Sequence, residues 1–304
     1  MAEPNIEGRV VLVTGAGRGL GRAYALALAE RGARVIVNDL GTAMDGSGRA
    51  SDVAEAVVSE IRAAGRTAVA DGNDVTRAEG GKSMIAAATQ AFGRIDAVVN
   101  NAGICRDSPF METSDADFER NWRIHVMGHI NVTRAAWPEF VRQGGGRVVM
   151  TGSGAGLFGL ANETAYAAAK GAIHGLSRSL AIEGAPLGIR VNTILPGGVS
   201  RMHEEAFPDP ATLDMMRTLM PADLVAPAVV WMVSDACRET GQSYSVWGGR
   251  IARLVVGTGR GLVDRALTAE AITTQSGARN SADGLYEPAD GIDDVAHWQP
   301  VLLE

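Results

Sequence analysis

Residues 9–39 read RVVLVTGAGRGLGRAYALALAERGARVIVND. The β-branched run Arg9–Thr14 predicts a strand, and the Ala/Leu-rich stretch Leu20–Arg31 predicts a helix. A glycine-rich turn joins them, and a second β-branched run, Arg34–Asn38, predicts another strand. Short apolar strands on either side of a helix are typical of a parallel sheet that is buried on both faces.

The same alternation continues along the chain. Further strands are predicted at Thr67–Asp71, Ala97–Asn100, Arg147–Thr151, Ile189–Ile194 and Ser243–Val246. Further helices are predicted at about Ser51–Ala64, Lys82–Phe92, Asp115–Gln143 and Glu163–Ala185. With right-handed crossovers, this order gives a Rossmann-type, doubly wound α/β fold with helices on both faces of a parallel sheet.

Two regions depart from this alternation. We expect one main domain over residues 1–249 and a C-terminal extension over residues 250–304, with one helix near Val263–Ile272. The extension would pack on the same domain or on a neighbouring subunit. The segment Arg201–Leu224 is rich in proline and methionine, and it is either a surface helix-loop or an adaptable lid over an apolar substrate.

Composition excludes several classes of function. The net charge is −7 and the pI is about 5.3, which argues against a nucleic-acid partner. We find neither an apolar run of membrane-spanning length nor a signal-peptide pattern, so no membrane partner is expected. The two cysteines, Cys105 and Cys237, form no disulfide or metal-binding pattern. We therefore expect no metal, and a reducing, cytoplasmic location.

The glycine-rich turn, TGAGRGLG at Thr14–Gly21, follows the first strand and opens the first helix. Glycines permit a tight turn and close approach of the backbone to a pyrophosphate, and the helix N-terminus supplies N–H donors. The candidate cofactor-binding residues of this turn are Gly15, Gly17, Arg18, Gly19 and Leu20. The alternative is a simple strand–helix turn.

Asp39 closes the second strand about twenty residues beyond the glycines. A carboxylate there accepts hydrogen bonds from a ribose 2′-hydroxyl and repels a 2′-phosphate, which favours NAD over NADP. Arg18 favours NADP instead, because arginine suits a 2′-phosphate. We expect the Asp39 carboxylate to determine the cofactor preference, in favour of NAD. Two further motifs, Asp74 and Asn100–Gly103, follow the third and fourth strands, where ligands of such sheets bind.

A triplet of polar residues indicates chemistry. Tyr166 and Lys170 are four residues apart and share a helix face, and Ser153 lies thirteen residues before Tyr166. A lysine ammonium beside a phenol lowers the pKa of the phenol, which makes Tyr166 an acid or base near neutral pH. Ser153 could hold a substrate oxygen. Each residue alone would be unremarkable, and the alternative is an exposed tyrosine and lysine plus a turn serine.

Together these motifs resemble the short-chain dehydrogenase/reductase family over about Gly8–Gly249. The matches are TGAGRGLG, Asp74-Val75, NNAG at Asn100–Gly103, Ser153, YAAAK at Tyr166–Lys170 and Pro196-Gly197. The resemblance implies a nicotinamide cofactor and alcohol/carbonyl oxidoreduction, with a dinucleotide-binding catalytic domain over residues 1–249. It also implies cofactor contacts at Asp74, Val75, Asn101, Ala102, Gly103, Tyr166, Lys170, Pro196 and Gly197.

Within the family, the chain is most similar to the (3R)-hydroxyacyl-CoA dehydrogenase subgroup, through stretches such as NNAGICRD at Asn100–Asp107 and NVTRAAWP at Asn131–Pro138. Two positions depart from the general family pattern. His125 stands where an asparagine usually completes the catalytic set, so it is either a catalytic residue acting through its backbone carbonyl or a packed helix histidine. The usual threonine after Pro196-Gly197 is missing, and Val199 and Ser200 are possible substitutes in cofactor binding.

The resemblance implies a substrate class. A (3R)-hydroxyacyl-CoA is our first choice, a 17β-hydroxysteroid the second and another secondary alcohol the third, while a non-catalytic nucleotide-binding sensor is the alternative of a different class. Candidates for binding CoA phosphates are Arg106, Arg123, Arg201 and Arg217. The family also implies a homodimer or homotetramer built through the two long predicted helices.

Overall fold

The computed structural model describes residues 4–42, 48, 50, 52–105, 107–198 and 209–302. The chain divides into two compact units, Met1–Arg253 and Leu254–Glu304.

The first unit is built around one eight-stranded sheet. Its strands are β1 (Val10–Thr14), β2 (Arg34–Asn38), β3 (Ala68–Asp71), β4 (Ala97–Asn100), β5 (Gly146–Thr151), β6 (Ile189–Gly197), β7 (Ser243–Trp247) and β8 (Arg250–Leu254). The strand order is β3-β2-β1-β4-β5-β6-β7-β8, and β1 to β7 pair in parallel. The chain winds outward in both directions from β1 and β4, which confirms the predicted doubly wound fold and places the switch point between these two strands.

The edge strand β8 was not predicted. Gly248 and Gly249 connect it to β7, and both have positive φ, 56° and 78°. Two consecutive left-handed residues form the tight turn of a β-hairpin, so β8 runs back along β7. The sheet therefore extends a few residues into the predicted C-terminal extension.

Helices cover the sheet within the first unit. They are α1 (Gly19–Glu30), α2 (Asp52–Ala63), α3 (Ala78–Phe92), α4 (Asp115–Asn121), α5 (Gly128–Gln143), α6 (Ala155–Phe158), α7 (Thr164–Gly184), α8 (Pro210–Leu219) and α9 (Ala226–Val233). The second unit contains α10 (Ala269–Thr274), α11 (Ser276–Arg279) and α12 (Gly291–Trp298). The segment predicted as a long helix at Asp115–Gln143 is helical throughout, and a π-helical turn, Trp122–Met127, lies between α4 and α5. Such turns are frequent at functional sites.

Alternate residues of the central strand face opposite cores. Val11 and Val13 pack in a cluster with residues of α1, α2 and α9. Val10 and Leu12 pack in a second cluster with residues of α3, α5 and α7. Every residue of β1 is buried. This agrees with the prediction that near-continuous apolar strands form a sheet covered on both faces.

The stretch Pro210–Val233 is long and apolar enough to cross a membrane, by length and composition alone. It is not one continuous helix, because α8 ends at Leu219 and Pro221 lies in the connection to α9. In α9, Val229 and Val233 are fully buried in the core of the first unit. The apolar character of α9 is thus explained by packing in the sheet domain, whereas α8 has no buried residue.

The second unit is organised by contacts around Thr258 and Tyr286, which form an antiparallel bridge. The Thr258 hydroxyl donates to Asp294 at 2.6 Å and accepts from Trp298 Nε1 at 2.9 Å. The Tyr286 ring stacks on His297 with 3.5 Å between ring centroids. The single helix predicted near residues 263–272 was misplaced, because α10 begins only at Ala269 and runs to Thr274. The short helices α11 and α12 were not predicted.

Candidate active site

A cleft of about 1420 Å³ lies along the carboxyl ends of the strands, on both sides of the β1/β4 switch point. Most predicted site residues line it: Gly15, Arg18, Gly19, Leu20, Asp39, Asp74, Val75, Asn101, Ala102, Gly103, His125, Ser153, Tyr166, Lys170 and Pro196. Gly17 and Gly197 do not line it, although Gly198 does. Val199 and Ser200 lie outside the described residues.

The glycine turn is shaped as a cradle for a ligand. A Cβ at Gly15, whose φ is +63°, would lie 2.8 Å from Ala102 Cα, and a Cβ at Gly21 would meet the Gly15 carbonyl oxygen. The first turn of α1 has no acidic residue and no side-chain cap at Arg18, so no side chain occupies its N–H donors. These donors and the absence of Cβ atoms fit the pyrophosphate of a dinucleotide.

Asp39 is fixed at the rim of this cradle. Its Oδ2 accepts a hydrogen bond from the Gly17 N–H at 2.8 Å, and its Oδ1 accepts one from the Gly41 N–H at 2.7 Å. Each carboxylate oxygen has a second lone pair for a ligand hydroxyl. The neighbouring Arg18 is exposed and donates to the Thr42 carbonyl at 3.3 Å, so both charges considered in the sequence border the same part of the cleft.

Asn101 acts on the backbone of the cradle. Its Nδ2 donates to the carbonyl oxygens of Thr14 and Gly15 at 3.0 and 3.1 Å. The Thr14 hydroxyl in turn accepts from the N–H groups of Asn101 and Ala102 at 3.0 and 3.1 Å. The two motifs therefore support each other across the switch point, and the part played by Thr14 was missed because its partners are distant in the sequence.

The third cofactor motif follows β3. Asp74 Oδ1 accepts from the Thr76 N–H at 2.8 Å, and the Val75 carbonyl accepts from Asn131 Nδ2 at 3.0 Å. Asp74 and Val75 are half-buried at the wall of the cleft. The hydrogen bonds to Thr76 and Asn131 therefore fix the position of this part of the cleft wall.

Ser153, Tyr166 and Lys170 meet at the other end of the cleft. Ser153 follows β5, and Tyr166 and Lys170 lie on consecutive turns of α7. The Ser153 hydroxyl hydrogen-bonds to the Tyr166 phenol. Lys170 Nζ donates to the Thr151 carbonyl at 2.7 Å and lies 5.6 Å from the centre of the Tyr166 ring. The predicted triplet thus forms one cluster beside the cofactor cradle.

The charge states in this cluster differ from the expectation that Lys170 lowers the pKa of Tyr166. Burial raises the pKa of Tyr166 well above its usual value, although the Ser153 hydrogen bond lowers it in part. Burial also lowers the pKa of Lys170 to about 7. Lys170 makes no ion pair with a carboxylate among the described residues, so desolvation dominates for both groups. In the unliganded protein the phenol is therefore neutral at pH 7.

His125 lies in the π-helical turn and is buried. Its Nε2 lies 2.8 Å from the Ile104 carbonyl oxygen, and its ring meets the Tyr166 ring edge to face with 5.3 Å between centroids. A Cβ at Gly103 would lie 2.5 Å from His125 Cε1, so this histidine requires that glycine. Burial and Lys170 hold the pKa of His125 well below its usual value, and its Nδ1 has no hydrogen-bond partner.

Cys105, Asp107 and Glu163 form a further cluster in the cleft wall, with their ligand atoms all within 4.8 Å of one another. Sequence analysis missed it because Glu163 is distant from the other two. Burial raises the pKa of Cys105 well above its usual value, with Glu163 and Asp107 adding to the effect. Burial and Asp107 also raise the pKa of Glu163. The thiol is therefore protonated and uncharged, and the Glu163 carboxylate disfavours ionisation of Tyr166.

Of the arginines considered for CoA phosphates, Arg123 lines the cleft. Arg217 is not among the lining residues, and its Nη1 lies 3.2 Å from Asp214 Oδ1. Arg106 and Arg201 lie outside the described residues. The methionine-rich segment contributes Met216 to the cleft, while Met215 is exposed.

Comparison with known proteins places this site in a family. The short chain dehydrogenase model matches residues 9–210. The chain is 48% identical over 255 residues to peroxisomal multifunctional enzyme type 2 of Mus musculus, covering 84% of this chain and 34% of that protein. It is 42% identical over 253 residues to a putative short-chain type dehydrogenase/reductase of Mycobacterium tuberculosis, covering 83% of this chain and 87% of that protein.

A solved structure agrees with these matches. Full-length peroxisomal multifunctional enzyme type 2 of Drosophila melanogaster superposes with a TM-score of 0.80 at 32% identity, over 98% of this chain and 50% of that one. The chain therefore spans about a third of the mouse relative and half of the fly relative. The family resemblance stated from the motifs is confirmed.

Proposed function

We propose that this chain, which belongs to the short chain dehydrogenase family, oxidises the secondary hydroxyl of a (3R)-hydroxyacyl-CoA to the ketone with NAD⁺. The observation that carries the proposal is the convergence of Ser153, Tyr166 and Lys170 beside the glycine cradle in one cleft. Family membership makes the chain an oxidoreductase that acts on CH–OH groups with a nicotinamide cofactor. The acyl-CoA substrate is supported by the resemblance to the hydroxyacyl-CoA dehydrogenase subgroup, which includes NNAGICRD at Asn100–Asp107.

The glycine cradle and α1 N-terminus would hold the pyrophosphate, and Asp39 would accept hydrogen bonds from the adenosine ribose. The negative charge of Asp39 disfavours a 2′-phosphate, which supports NAD over NADP. Asp74 and Val75 would border the adenine, and Pro196 and Gly197 the nicotinamide. When bound, the cofactor supplies the hydride acceptor, and the protein supplies position and proton transfer.

Tyr166 would accept the proton of the substrate hydroxyl at its phenolic oxygen. Ser153 already hydrogen-bonds to that oxygen, and it would hold the substrate oxygen in the same place. Because burial raises the pKa of Tyr166, an added positive charge beside the phenol is needed before the phenolate forms near neutral pH. A protonated Lys170 supplies the positive charge that favours this ionisation. Because its pKa is about 7, Lys170 is only partly protonated at neutral pH.

We assign His125 to support of Tyr166. Its ring edge contacts the phenol, and its Nε2 is anchored to the Ile104 backbone. Because its pKa is far below neutral, the ring stays uncharged and does not act as a proton donor to the substrate. The π-helical turn around it is where its backbone carbonyl could hold a water beside Lys170.

The test is NADH formation by the purified chain with (3R)-hydroxyacyl-CoAs, their (3S) epimers and a 17β-hydroxysteroid, each with NAD⁺ and NADP⁺. Turnover that requires the (3R) epimer and NAD⁺ supports the proposal. Turnover on the steroid alone would move the assignment to a hydroxysteroid dehydrogenase. No turnover on any alcohol, despite NAD⁺ binding, would favour a nucleotide-binding sensor.

The assembly and compartment are proposals of the same rank. We propose a homodimer or homotetramer through α5 and α7, whose exposed apolar residues include Val141 and Ile182, and light scattering of the purified chain tests it.

Cys105 and Cys237 are both free thiols, consistent with a reducing compartment. We propose the cytoplasm, and cell fractionation would separate this from the peroxisome that the relatives' names indicate.

A further inference from the structure

His174 lies on the same face of α7 as Lys170, one turn further along the helix. It is half-buried, and its Nδ1 lies 3.2 Å from the Ser243 hydroxyl on β7. Nothing in the family motifs singles it out. The position matters because the ring lies beside the turn that carries Ser153.

The turn after β5 is built to admit this ring. A Cβ at Gly152 would lie 3.1 Å from His174 Nε2 and 3.4 Å from its Cε1. The Gly152 N–H is held by the Ile194 carbonyl at 2.8 Å, so the turn cannot move away from the sheet without breaking that bond. A side chain at residue 152 would therefore displace the histidine.

The ring faces the backbone of Ser153. That backbone raises the pKa of His174, which identifies the partner as the carbonyl oxygen, because only an acceptor favours a charged ring. Burial, followed by Lys170, lowers the pKa overall, so the ring is neutral. A neutral ring has one donor and one acceptor nitrogen. In the tautomer in which Nδ1 accepts from the Ser243 hydroxyl, Nε2–H is the donor toward Ser153.

Nε2 is buried and finds no hydrogen bond of regular geometry within the described part of the chain. A buried donor without such a bond calls for a specific explanation. Ser153 also shapes its own turn, since its hydroxyl accepts from the Ala155 N–H at 3.2 Å and its carbonyl from the Gly156 N–H at 3.2 Å. Small shifts of this turn move the hydroxyl relative to Tyr166.

We infer that His174 is a positioning residue, which links Ser243 on β7 to the Ser153 turn and thereby sets the hydrogen bond between Ser153 and Tyr166. This rests on the proposed function, in which Ser153 holds the substrate oxygen and Tyr166 takes the proton. It assigns a role to a residue that contacts neither substrate nor cofactor, and it predicts that the effect passes through the phenol.

The experiment compares His174→Ala, His174→Gln and His174→Asn in the full chain. We expect His174→Ala to lower kcat about tenfold, the size expected for one lost hydrogen bond, with little change in NAD⁺ affinity measured by fluorescence quenching. Glutamine places its amide near the Nε2 position and asparagine near Nδ1. Glutamine should therefore restore more of the activity than asparagine.

The pH profile distinguishes positioning from folding. Ser153 lowers the pKa of Tyr166, whereas Cys105 and Glu163 raise it. Loosening the Ser153 turn should move the acid-side pKa of kcat/KM upward by about 0.5 to 1. Leu176→Ala, which removes a partly buried side chain from the same helix, is the matched control and should lower Tm without moving this pKa.

Ser243→Ala should shift the same pKa in the same direction but less, and its effect should vanish in the His174→Ala background. Ser245→Ala, two residues along β7, is the control for this change. An unchanged pH profile and kcat in His174→Ala, or additive effects of His174 and Ser243, would overturn the inference. A wild-type chain that oxidises no alcohol would overturn the proposed function instead.

Discussion

The cofactor end and the proton-transfer end of the cleft are stabilised in different ways. At the cofactor end, polar groups are satisfied: Asp39 accepts two backbone hydrogen bonds, and Asn101 and Thr14 bond reciprocally to backbone. At the proton-transfer end, ionisable groups are buried without countercharges among the described residues, and Lys170 bonds to a carbonyl. The hydrogen bonds at the cofactor end fix its shape. At the proton-transfer end, burial disfavours the charged forms of Tyr166 and Lys170.

Buried atoms without partners mark the same difference. Among the described residues, His125 Nδ1 and Thr151 Oγ1 have no hydrogen-bond partner; His125 contacts Tyr166, and the Thr151 carbonyl accepts from Lys170. Unsatisfied buried polar atoms destabilise a fold and persist where function requires them. The comparison predicts that substitutions at one end leave the function of the other end largely intact.

The largest expected effect is that of Tyr166→Phe. Removing the proton acceptor should lower kcat by about 10²–10⁴-fold, the usual range for a general acid–base group. The affinity for NAD⁺, measured by calorimetry, should stay within about twofold if binding belongs to the cofactor end. An equal loss in the affinity for NAD⁺ would show that the two ends are not separable.

Lys170→Met should stabilise the protein while abolishing activity. Burial lowers the pKa of Lys170 from its usual value of 10.5 to about 7, so the folded state disfavours the charged form. The unfolded chain binds the extra proton between about pH 7 and 10.5, so this penalty on stability is full below pH 7 and is relieved as pH rises to 10.5. The lost hydrogen bond to Thr151 offsets part of this gain. The free energy of unfolding at pH 7 should therefore rise by about 2 kcal/mol in Lys170→Met.

Urea unfolding at several pH values checks this prediction. The gain from Lys170→Met should shrink as pH rises from 7, and it should approach zero or reverse above about pH 10.5, where both states carry a neutral lysine. Lys82→Met is the matched control, because Lys82 is exposed and paired with Glu79, so its substitution should change stability little at any pH. A destabilised Lys170→Met protein at pH 7 would contradict the view that this end is under electrostatic strain.

Gly17→Ala tests the cradle. The added Cβ would lie 2.8 Å from Asp39 Oδ2 and would also meet Val53. Such overpacking costs about 1–3 kcal/mol of stability, and it shifts the Asp39 carboxylate that we propose contacts the adenosine ribose. We therefore expect the affinity for NAD⁺ to fall roughly tenfold. Gly175→Ala, where the Cβ meets nothing within 4 Å, should bind NAD⁺ normally. Unchanged binding by Gly17→Ala would show that the cradle is not shaped for a close ligand.

The contrast also explains what the sequence could predict. The glycine turn, Asp39 and the Tyr166/Lys170 spacing are local patterns whose geometry follows from a strand, a turn or a helix, so the fold and the grouping of the site were predictable. The direction of the Tyr166 pKa was predicted wrongly, because it depends on burial by distant segments rather than on spacing. Partners such as His174 with Ser243, and Glu163 with Cys105, meet only in the folded chain.

The smallest expected effect is that of Asp39→Asn. The amide keeps the shape and one acceptor oxygen but loses the charge that repels a 2′-phosphate, while Arg18 stays at the rim of the same cleft. We expect the ratio of NADP⁺ to NAD⁺ affinity to rise about fivefold, equivalent to about 1 kcal/mol, with kcat on a saturating cofactor unchanged. Glu55→Gln on α2, an exposed carboxylate that does not line the cleft, is the matched control. If Asp39→Asn left the ratio unchanged, the carboxylate would serve only to hold the Gly17 and Gly41 backbone. Cofactor choice would then depend on the wider cleft, just as the charge state of Tyr166 does.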